Sequence, residues 1–249
     1  MWAERARTAI RSVGEILITL GVVLFLFCAY QLFYTNVIAD EAMKSEVSDL
    51  HKLWAAQPPT PRSAAAAGSA AFTAAAGLGP FDTADSHGTS GEAFAILHIP
   101  RLGDKSIPVL QGTSLDLLGR GVGHYKDSAL PGRIGNFAVA GHRKTHGEPF
   151  RYLDEMRAGD LIVVETADTW FTYREDRDPF IVDPTDLAVV APVPDHPGEP
   201  ASQKLITLTT CNPWWASTQR MIVTGTLIAQ QPRSAGEPPA LTVNTPKFQ

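Results

Sequence analysis

Large apolar residues follow distinct patterns along the chain. From Ile16 to Tyr34 they form a nearly unbroken run, and nineteen helical residues at about 1.5 Å each span the ~30 Å hydrocarbon core of a bilayer. Within the stretch from Val37 to Trp54 they recur at spacings of four, three and four, which is typical of one face of a helix. The patterns predict a membrane-spanning helix and then a short juxtamembrane helix. They leave open whether the second helix packs on a domain or forms a solvated stalk.

Residues 55–93 differ in composition, since 30 of these 39 positions are Ala, Gly, Ser, Thr or Pro. Such a segment buries too little apolar surface to offset the entropy that it would lose on ordering. We therefore predict that residues 37–93 comprise the juxtamembrane helix and a flexible spacer. Residues 233–249 are polar and rich in Pro, and they predict a flexible tail.

The block between spacer and tail, residues 94–232, has the pattern of a β domain. Pro, Gly and Asp separate short runs of β-type residues, and two short helical stretches fit near Ser114–Leu118, with Ser114 as N-cap, and near Pro149–Met156. Eight short strands with few helices predict a mainly β fold, a closed or nearly closed eight-stranded β-barrel. The predicted strands are Phe94–Ile99, Ile107–Leu110, Asn136–Ala140, Leu161–Glu165, Trp170–Arg174, Leu187–Val190, Lys204–Thr210 and Met221–Ala229.

Charges on either side of the apolar run predict its orientation. Arg5, Arg7 and Arg11 precede the run, and acidic residues follow it. The positive-inside rule then places residues 1–15 in the cytoplasm and residues 16–36 in the cell membrane as a single-pass signal anchor, with the rest of the chain outside the cytoplasm. A cleaved signal peptide is the alternative, but its apolar region normally covers about 7–15 residues and ends at a small-x-small site.

Overall composition excludes several classes of protein. Apolar residues make up 44% of the chain and charged residues 19%, which excludes wholesale disorder. The formal net charge is -5 and no long basic block occurs, which argues against a nucleic-acid-binding protein. Two cysteines are too few for a disulfide-rich scaffold or a four-cysteine zinc site.

The two cysteines lie in different surroundings. Cys28 falls inside the apolar run, and Phe27 occupies the position where lipoprotein attachment requires a small residue, so we interpret Cys28 as an inert membrane cysteine. Cys211 is then the only cysteine outside the membrane, and membrane depth prevents a disulfide between the two. A lone free thiol in an exported protein suggests a reactive role.

Cys211 follows the predicted strand Lys204–Thr210, in which alternate residues share a face. Thr209 shares the face of Cys211, whereas Leu208 faces the core, so Cys211 is expected to point into a groove or solvent. Arg220 opens the next predicted strand, and antiparallel pairing would bring it beside Cys211. The alternatives are a buried structural cysteine and an ordinary solvated charge.

A nucleophilic cysteine needs a base or an imidazolium that holds its thiolate. Among seven histidines, His142 ranks first because it stands at the end of a strand after a Gly turn, and His124, which also flanks a Gly, ranks second. No HExxH, CxxC or EF-hand pattern occurs, so no metal ligand and no cofactor is indicated, although scattered acidic residues leave a loose calcium site open.

Three segments of the chain resemble the sortase family. The segment Thr207-Leu-Thr-Thr-Cys211, with Arg220 and an Ile/Val strand after it, resembles the sortase signature. Asn136-Phe-Ala-Val-Ala-Gly-His142-Arg resembles the histidine segment of that family, and Gly123–Gly132 is similar to the sequence before it. The TLTTC form, the short spacing from Cys to Arg and the membrane anchor most resemble class E sortases of actinobacteria. The resemblance covers roughly residues 94–230.

The resemblance implies a sortase-type barrel and a cysteine transpeptidase. It assigns Cys211 as the nucleophile, His142 as the general acid and base, and Arg220 as the stabilising cation. It implies cleavage of an LAxTG/LPxTG-like sorting signal between Thr and Gly. Tyr125 then lies where such enzymes read the second position of the signal, and Thr210 is expected to help through its backbone or hydroxyl.

The same resemblance implies the partners of the enzyme. The donor substrates are secreted proteins that carry a C-terminal sorting signal. The acceptor is an amine of a peptidoglycan precursor or of a pilin. A membrane-anchored enzyme meets such substrates at a raised local concentration, because they arrive at the membrane through the secretion machinery.

Two other interpretations remain. A membrane-anchored cysteine peptidase of another type would use the same Cys211 and His142 but prefer water as the acceptor. A non-enzymatic surface-binding module would use Trp214 and Trp215 as an aromatic platform, although we expect these two residues to pack over the rim of the barrel.

Overall fold

The fold comes from a computed structural model that describes residues 2–30, 34–56, 91–194, 196 and 198–242. Most of the predicted spacer and the end of the predicted tail lie outside the described residues. The first helix, α1, covers Trp2–Ala29, and its segment Arg7–Cys28 is long and apolar enough to cross a membrane, with a mean hydropathy of 2.0. None of that segment is buried inside the protein, which fits a single membrane anchor.

The second helix, α2, covers Thr35–Ala56 and packs on the β domain. Ala39 and Met43 belong to the main hydrophobic core, while Leu50 and Trp54 pack around Ile96 in a second cluster. This answers the question that periodicity left open, because the apolar stripe of α2 is buried against the domain rather than solvated as a stalk.

The described residues form nine β-strands. Eight of them close into a barrel in the order β1-β2-β3-β4-β8-β9-β6-β5, with β5 pairing back to β1, and β7 pairs with the remaining edge of β9. The predicted mainly β, eight-stranded barrel is therefore confirmed. The strands are β1 Ala93–His98, β2 Ser106–Gln111, β3 Val122–His124, β4 Gly135–Ala140, β5 Leu161–Glu165, β6 Thr169–Glu175, β7 Phe180–Val182, β8 Lys204–Asn212 and β9 Gln219–Pro232.

The barrel interior follows the alternation that the sequence predicts. Phe137 and Val139 of β4 point into the same core as Leu208 of β8 and Val223 of β9, and all four are at most 1% exposed. The intervening residues of these strands lie on the outer face of the barrel, because successive side chains of a strand alternate.

The predicted strand at Leu187–Val190 is wrong. Ala188–Val190 is a short 3-10 helix, and the side chain of Asp186 accepts a hydrogen bond from the N–H of Ala188 at its start. A short apolar run between turn residues fits a strand or a helical turn equally well, and this local hydrogen bond favours the turn. The very short strands β3 and β7 were not predicted.

The predicted helix near Ser114–Leu118 is confirmed, whereas the one near Pro149–Met156 is shorter than expected. Helix α3 covers Leu115–Leu118, and Ser114 occupies its N-cap position without making a side-chain hydrogen bond. In place of the predicted helix at Pro149–Met156, only Leu153–Glu155 forms a 3-10 helix.

The start of the predicted tail is helical in the structure. Arg233–Ala235 forms a 3-10 helix and Pro239–Thr242 a short helix, α4. The Arg233 side chain donates a hydrogen bond to the buried Glu165 of β5 at 2.7 Å, so this part of the chain is attached to the barrel.

Candidate active site

Cys211 and Arg220 face each other across two paired strands. Strands β8 and β9 are antiparallel, and their register pairs Cys211 directly with Arg220. Side chains opposite each other in such a pair have Cβ atoms about 4.5–5.5 Å apart on the same face of the sheet. That face is the outer one, since Leu208 of the same strand points into the core. Cys211 is a free, half-buried thiol.

His142 reaches the same place from the other side of β8. Strand β4 runs parallel to β8 with Ala140 paired to Thr209, and the N–H of Gly141 donates to the carbonyl of Thr209 at 3.0 Å. Two residues onward from the pair Ala140–Thr209, His142 lies opposite Cys211. The side chains of both residues therefore point to the same face of the sheet. The sequence thus brings both residues to the end of adjacent strands, as predicted.

Thr210 fastens the turn that carries His142. Its hydroxyl is buried and donates a hydrogen bond to the carbonyl of Gly141 at 2.8 Å. This hydrogen bond engages the Thr210 hydroxyl within the protein. Thr210 joins the end of β8 to Gly141, the residue that precedes His142.

The guanidinium of Arg220 is oriented by the loop between β8 and β9. Its Nη1 atom donates to the carbonyls of Ser217 and Gln219, at 3.1 and 2.9 Å. Within the described part of the chain, its Nε and Nη2 atoms have no hydrogen-bond partner. These N–H groups remain available for an anionic or carbonyl oxygen at the end of the two strands.

The pKa of His142 is lowered, first because burial disfavours the imidazolium and second because His146 lies beside it. The two rings stack with their centroids 4.8 Å apart. No local pattern in the sequence indicates this contact between His142 and His146.

Arg143 is a residue of the site that the sequence analysis missed. It is 6% exposed, and its guanidinium donates to Oδ1 of Asn212 at 2.7 Å and pairs with Asp154 at 3.0 Å. It therefore ties the residue after His142 to the residue after Cys211. Its position next to His142 was the only signal in the sequence that could have identified it.

Tyr125 lies beside the outer face of β8. Its phenol oxygen is 3.1 Å from Oγ1 of Thr209, which has the same parity as Cys211 two positions later. Tyr125 is half-buried. Its ring is thus near the face that carries Cys211.

His124, the second-ranked histidine, is a structural residue. It is 1% exposed, and its two ring nitrogens lie within hydrogen-bond distance of the Gln111 side chain, the Ala129 carbonyl and the Ser128 hydroxyl, at 2.9, 3.1 and 2.9 Å. These contacts satisfy the imidazole within the protein, so His124 holds β3 to the following turn.

We expected Trp214 and Trp215 to pack over the rim of the barrel, but in the structure they do not. They are 50% and 68% exposed, and the two rings meet edge to face with centroids 5.6 Å apart. The ammonium of Lys144 lies 4.8 Å from the centre of the Trp214 ring. The loop after Cys211 therefore presents aromatic surface near the site.

Among the described residues, no group of three or more His, Cys, Asp or Glu side chains could hold a metal ion.

Comparison with known proteins identifies the family of the chain. A model of the sortase domain matches residues 97–228. The chain is 40% identical over 243 residues to Sortase SrtE1 of Streptomyces coelicolor and covers 62% of the length of that relative, with 95% of this chain aligned. It is 34% identical over 229 residues to Sortase SrtE2 of the same organism, a match that covers 90% of this chain and 83% of that protein.

Solved structures give the same result. The structure of sortase E from Streptomyces avermitilis matches with a TM-score of 0.57 and 45% identity, over 61% of this chain and 99% of that chain. A structure of Sortase E1 from Streptomyces coelicolor with a tripeptide in its active site matches with a TM-score of 0.56 and 44% identity, over 61% of this chain and 97% of that one. The chain described here therefore belongs to the sortase family, and the relatives named above are sortases of the E type.

Proposed function

We propose that this protein is a membrane-anchored transpeptidase that cleaves an LAxTG/LPxTG-like sorting signal between Thr and Gly. It then joins the Thr carbonyl to an amine of the cell wall or of a pilin. The observation that carries the proposal is the convergence of Cys211, His142 and Arg220 at the ends of three adjacent strands, on one outer face of the barrel.

In the first half-reaction, the thiolate of Cys211 attacks the Thr carbonyl carbon, and a carbon–sulfur bond forms. The carbonyl oxygen becomes an oxyanion, and the free N–H groups of Arg220 are placed to donate to it. The carbon–nitrogen bond to Gly then breaks as the imidazolium of His142 gives its proton to the departing amine. The product is a thioester on Cys211 and a neutral His142.

In the second half-reaction, an acceptor amine attacks the thioester carbonyl. The new carbon–nitrogen bond forms, His142 takes the proton that the amine loses, and the carbon–sulfur bond breaks to return the thiolate of Cys211. The two half-reactions balance, since one amide bond is broken and one is made with no oxidant, reductant or metal.

The lowered pKa of His142 sets the amount of the reactive form. The imidazolium needed to protonate the leaving amine becomes scarcer as the pH rises above that pKa. The proposal therefore includes slow turnover, because a lowered pKa of His142 reduces the fraction of molecules that carry the imidazolium.

In this proposal, the substrate is recognised on the outer face of β8, which carries Thr209 and Cys211. The tripeptide in the active site of the Streptomyces coelicolor Sortase E1 structure supports a peptide ligand for this face. Tyr125, near Thr209, is the residue that we assign to the second position of the sorting signal. We assign a secreted protein as the donor, and a peptidoglycan precursor or a pilin as the source of the amine.

The proposed location is the cell membrane, with the barrel outside the cytoplasm. The exposed apolar segment Arg7–Cys28 supports a single span, and Arg5, Arg7 and Arg11 at its start support a cytoplasmic N-terminus.

The decisive experiment incubates the full chain, purified in detergent, with peptides that carry LAxTG or LPxTG. Mass spectrometry should show a thioester adduct on Cys211 that lacks the residues after Thr, and added glycine or diaminopimelate-type amine should convert the adduct into a new amide. Cys211→Ala should lose both steps while it stays folded. Absence of any adduct on a folded protein would refute the proposal.

The cysteine-peptidase alternative predicts a different product. If water is the preferred acceptor, the free acid accumulates even when amine is abundant, whereas a transpeptidase diverts the intermediate into the amide. A non-enzymatic surface-binding module based on Trp214 and Trp215 would bind its ligand as tightly in Cys211→Ala as in the wild type.

A further inference from the structure

The loop that follows His142 contains a run of left-handed backbone. His146, Gly147 and Glu148 have φ values of 55°, 73° and 49°. Two of these residues carry a Cβ, for which the left-handed region is unfavourable. Such a run persists only where the surrounding structure holds it.

Helix α2 supplies the groups that hold this run. The side chain of Asn36 accepts a hydrogen bond from the N–H of Gly147 at 3.1 Å and donates another to Oε1 of Glu148 at 3.0 Å. One amide thus satisfies two consecutive residues of the loop from 111 and 112 positions away.

Two further residues of α2 close the contact around Gly147. Met43 packs so closely that a Cβ at position 147 would lie 2.2 Å from its terminal methyl group, and the φ of 73° at this position favours Gly. Asp40 pairs with Lys105, whose ammonium also donates to the carbonyl of Gly147. The N–H and the carbonyl of Gly147 are therefore both bonded to side chains at the junction with α2.

The left-handed run, residues 146–148, contacts His142 directly through His146. The ring of His146 stacks on the ring of His142, with 4.8 Å between centroids and 23° between planes. The loop is closed on its other side, where the N–H of Phe150 donates to the carbonyl of His142 at 3.0 Å. The orientation of the His142 ring therefore depends on the position of the left-handed run, which the contacts with α2 hold in place.

We propose that Asn36 of the juxtamembrane helix is a positioning residue for His142 and that α2 is an integral part of the active site. This inference rests on the role assigned to His142 in the proposed function. Asn36 acts through Gly147 and His146 and touches no reacting atom. It is the last residue of the predicted anchor, residues 16–36, so these contacts form where the chain leaves the membrane anchor.

The test compares Asn36→Ala with Val37→Ala in the full chain in detergent. Val37 is the next residue of α2 and is 56% exposed, which makes it a matched control. With a sorting peptide and an amine acceptor, kcat of Asn36→Ala should fall about tenfold, within the range that misplacement of a catalytic group causes, while KM stays within about twofold of the wild-type value. Val37→Ala should match the wild type.

A rescue separates positioning from general damage. In the double variant Asn36→Asp with Glu148→Gln, the new carboxylate accepts from the N–H of Gly147 and from the new side-chain amide. The two hydrogen bonds are restored with donor and acceptor exchanged in the second, so kcat should recover. A kcat of Asn36→Ala equal to that of the wild type, or an equal loss in Val37→Ala, would overturn the proposal. A loss of kcat without recovery in the folded double variant would do so too.

A second readout does not depend on catalysis. In the Cys211→Ala background, Asn36→Ala should speed hydrogen exchange of the Gly147 amide and shift the NMR signals of the His142 ring. Unchanged signals would refute the positioning role even if the enzyme is a sortase as proposed. If the wild type forms no thioester adduct, the proposed function fails, while this readout still decides whether Asn36 positions His142.

Discussion

Two polar clusters of the barrel differ in how completely their groups are paired. The candidate active-site cluster, Cys211, His142 and Arg220, lies where β4 and β8 end and β9 begins. The Glu165 cluster joins α2, β1, β5 and the start of the C-terminal segment. There the buried Glu165 carboxylate meets Arg233 at 2.7 Å, His51 at 3.2 Å and His98 at 3.4 Å.

The difference concerns which groups are left for a substrate. In the Glu165 cluster, His98, Arg233 and His51 surround one carboxylate, and together they lower its pKa although burial acts to raise it. In the active-site cluster, the thiol of Cys211 is half-buried and N–H groups of Arg220 have no partner within the described residues. Complete pairing stabilises a junction between elements, whereas incomplete pairing at an open face leaves groups that can react or bind.

The largest expected effect comes from Arg220→Ala. If its free N–H groups stabilise the oxyanion, the barrier should rise by about 2.7–4 kcal/mol, a loss of roughly a hundredfold to a thousandfold in kcat. The melting temperature should change little, because the guanidinium bonds only exposed loop carbonyls. Steady-state kinetics with a sorting peptide and a thermal melt measure both quantities.

Arg220→Lys is the matched control for that variant. It keeps the charge but loses the planar fork of donors, so its rate should fall between those of the wild type and Arg220→Ala. An unchanged rate in Arg220→Ala would remove the residue from the mechanism and break the contrast between the two clusters.

Glu165→Gln should show the opposite pattern, with stability reduced and chemistry preserved. Loss of the carboxylate should lower the free energy of unfolding by about 2 kcal/mol, since hydrogen bonds to a charged group are broken while Arg233 and His51 can rehydrate. Denaturant unfolding measures this loss, and Glu237→Gln, at an exposed carboxylate, serves as the control. A fall in kcat at a temperature where the variant is folded would contradict the structural role.

The pH dependence of that stability follows from the lowered pKa of Glu165. Stability from the ionised carboxylate is fully present above its ordinary pKa of 4.5 and is lost as the pH falls through the lower folded-state value. The gap between wild type and Glu165→Gln should therefore close in acid. A constant gap down to low pH would show that the charge is not what stabilises the junction.

Glu175 sharpens the comparison because it is as buried as Glu165 but not paired. Both residues are 2% exposed, yet neither carboxylate oxygen of Glu175 has a hydrogen-bond partner among the described residues. Burial, with Asp160 and Asp178 nearby, raises the pKa of Glu175 to about 8. The folded state therefore keeps a proton that the unfolded state loses, and stability falls as the pH rises from about 4.5 to 8.

Glu175→Gln should remove that decline, so its melting temperature should exceed the wild-type value at pH 9 and approach it at pH 5. Melting curves across this range measure the effect, and Glu165→Gln should lack this alkaline gain. An equally steep alkaline decline in Glu175→Gln would mean that another group is responsible.

The smallest expected effect is a rise in the pKa of His142 in the variant His146→Gln. Of the two causes that lower the pKa of His142, this change removes only the second, the neighbouring imidazole, and leaves burial in place. His142 should then keep its proton to higher pH. NMR titration of the His142 ring should show the rise, and the limb of kcat/KM that His142 controls should move the same way. A downward shift would contradict the assigned contact.

Much of the fold and the order of the reactive residues could be predicted from the sequence. The alternation in β8 indicates that Leu208 faces the core and Cys211 does not, because the side-chain period of a strand is local. The positions of Cys211, His142 and Arg220 at strand ends also follow from local patterns. Strands β3 and β7 escaped prediction, since three residues give no measurable alternation.

The contacts that complete the site could not be predicted in this way. Asn36 meets Gly147 across 111 positions, and His51 meets Glu165 across 114. Neither pair has a spacing or motif that links its members. Likewise, His142 and His124 look similar in sequence, and only their surroundings assign one to the open face and the other to a satisfied interior.

By itself, the sequence determined the apolar anchor, the β-barrel and the identities of the residues at the ends of its central strands, because hydrophobic periodicity and turn chemistry act over a few residues. The tertiary structure alone decided that α2 packs on the barrel, that Asn36 holds the loop of His142, and that Glu165 is paired whereas Glu175 is not. Those outcomes depend on distances between segments far apart in the chain, which closure of the barrel sets and no local pattern encodes.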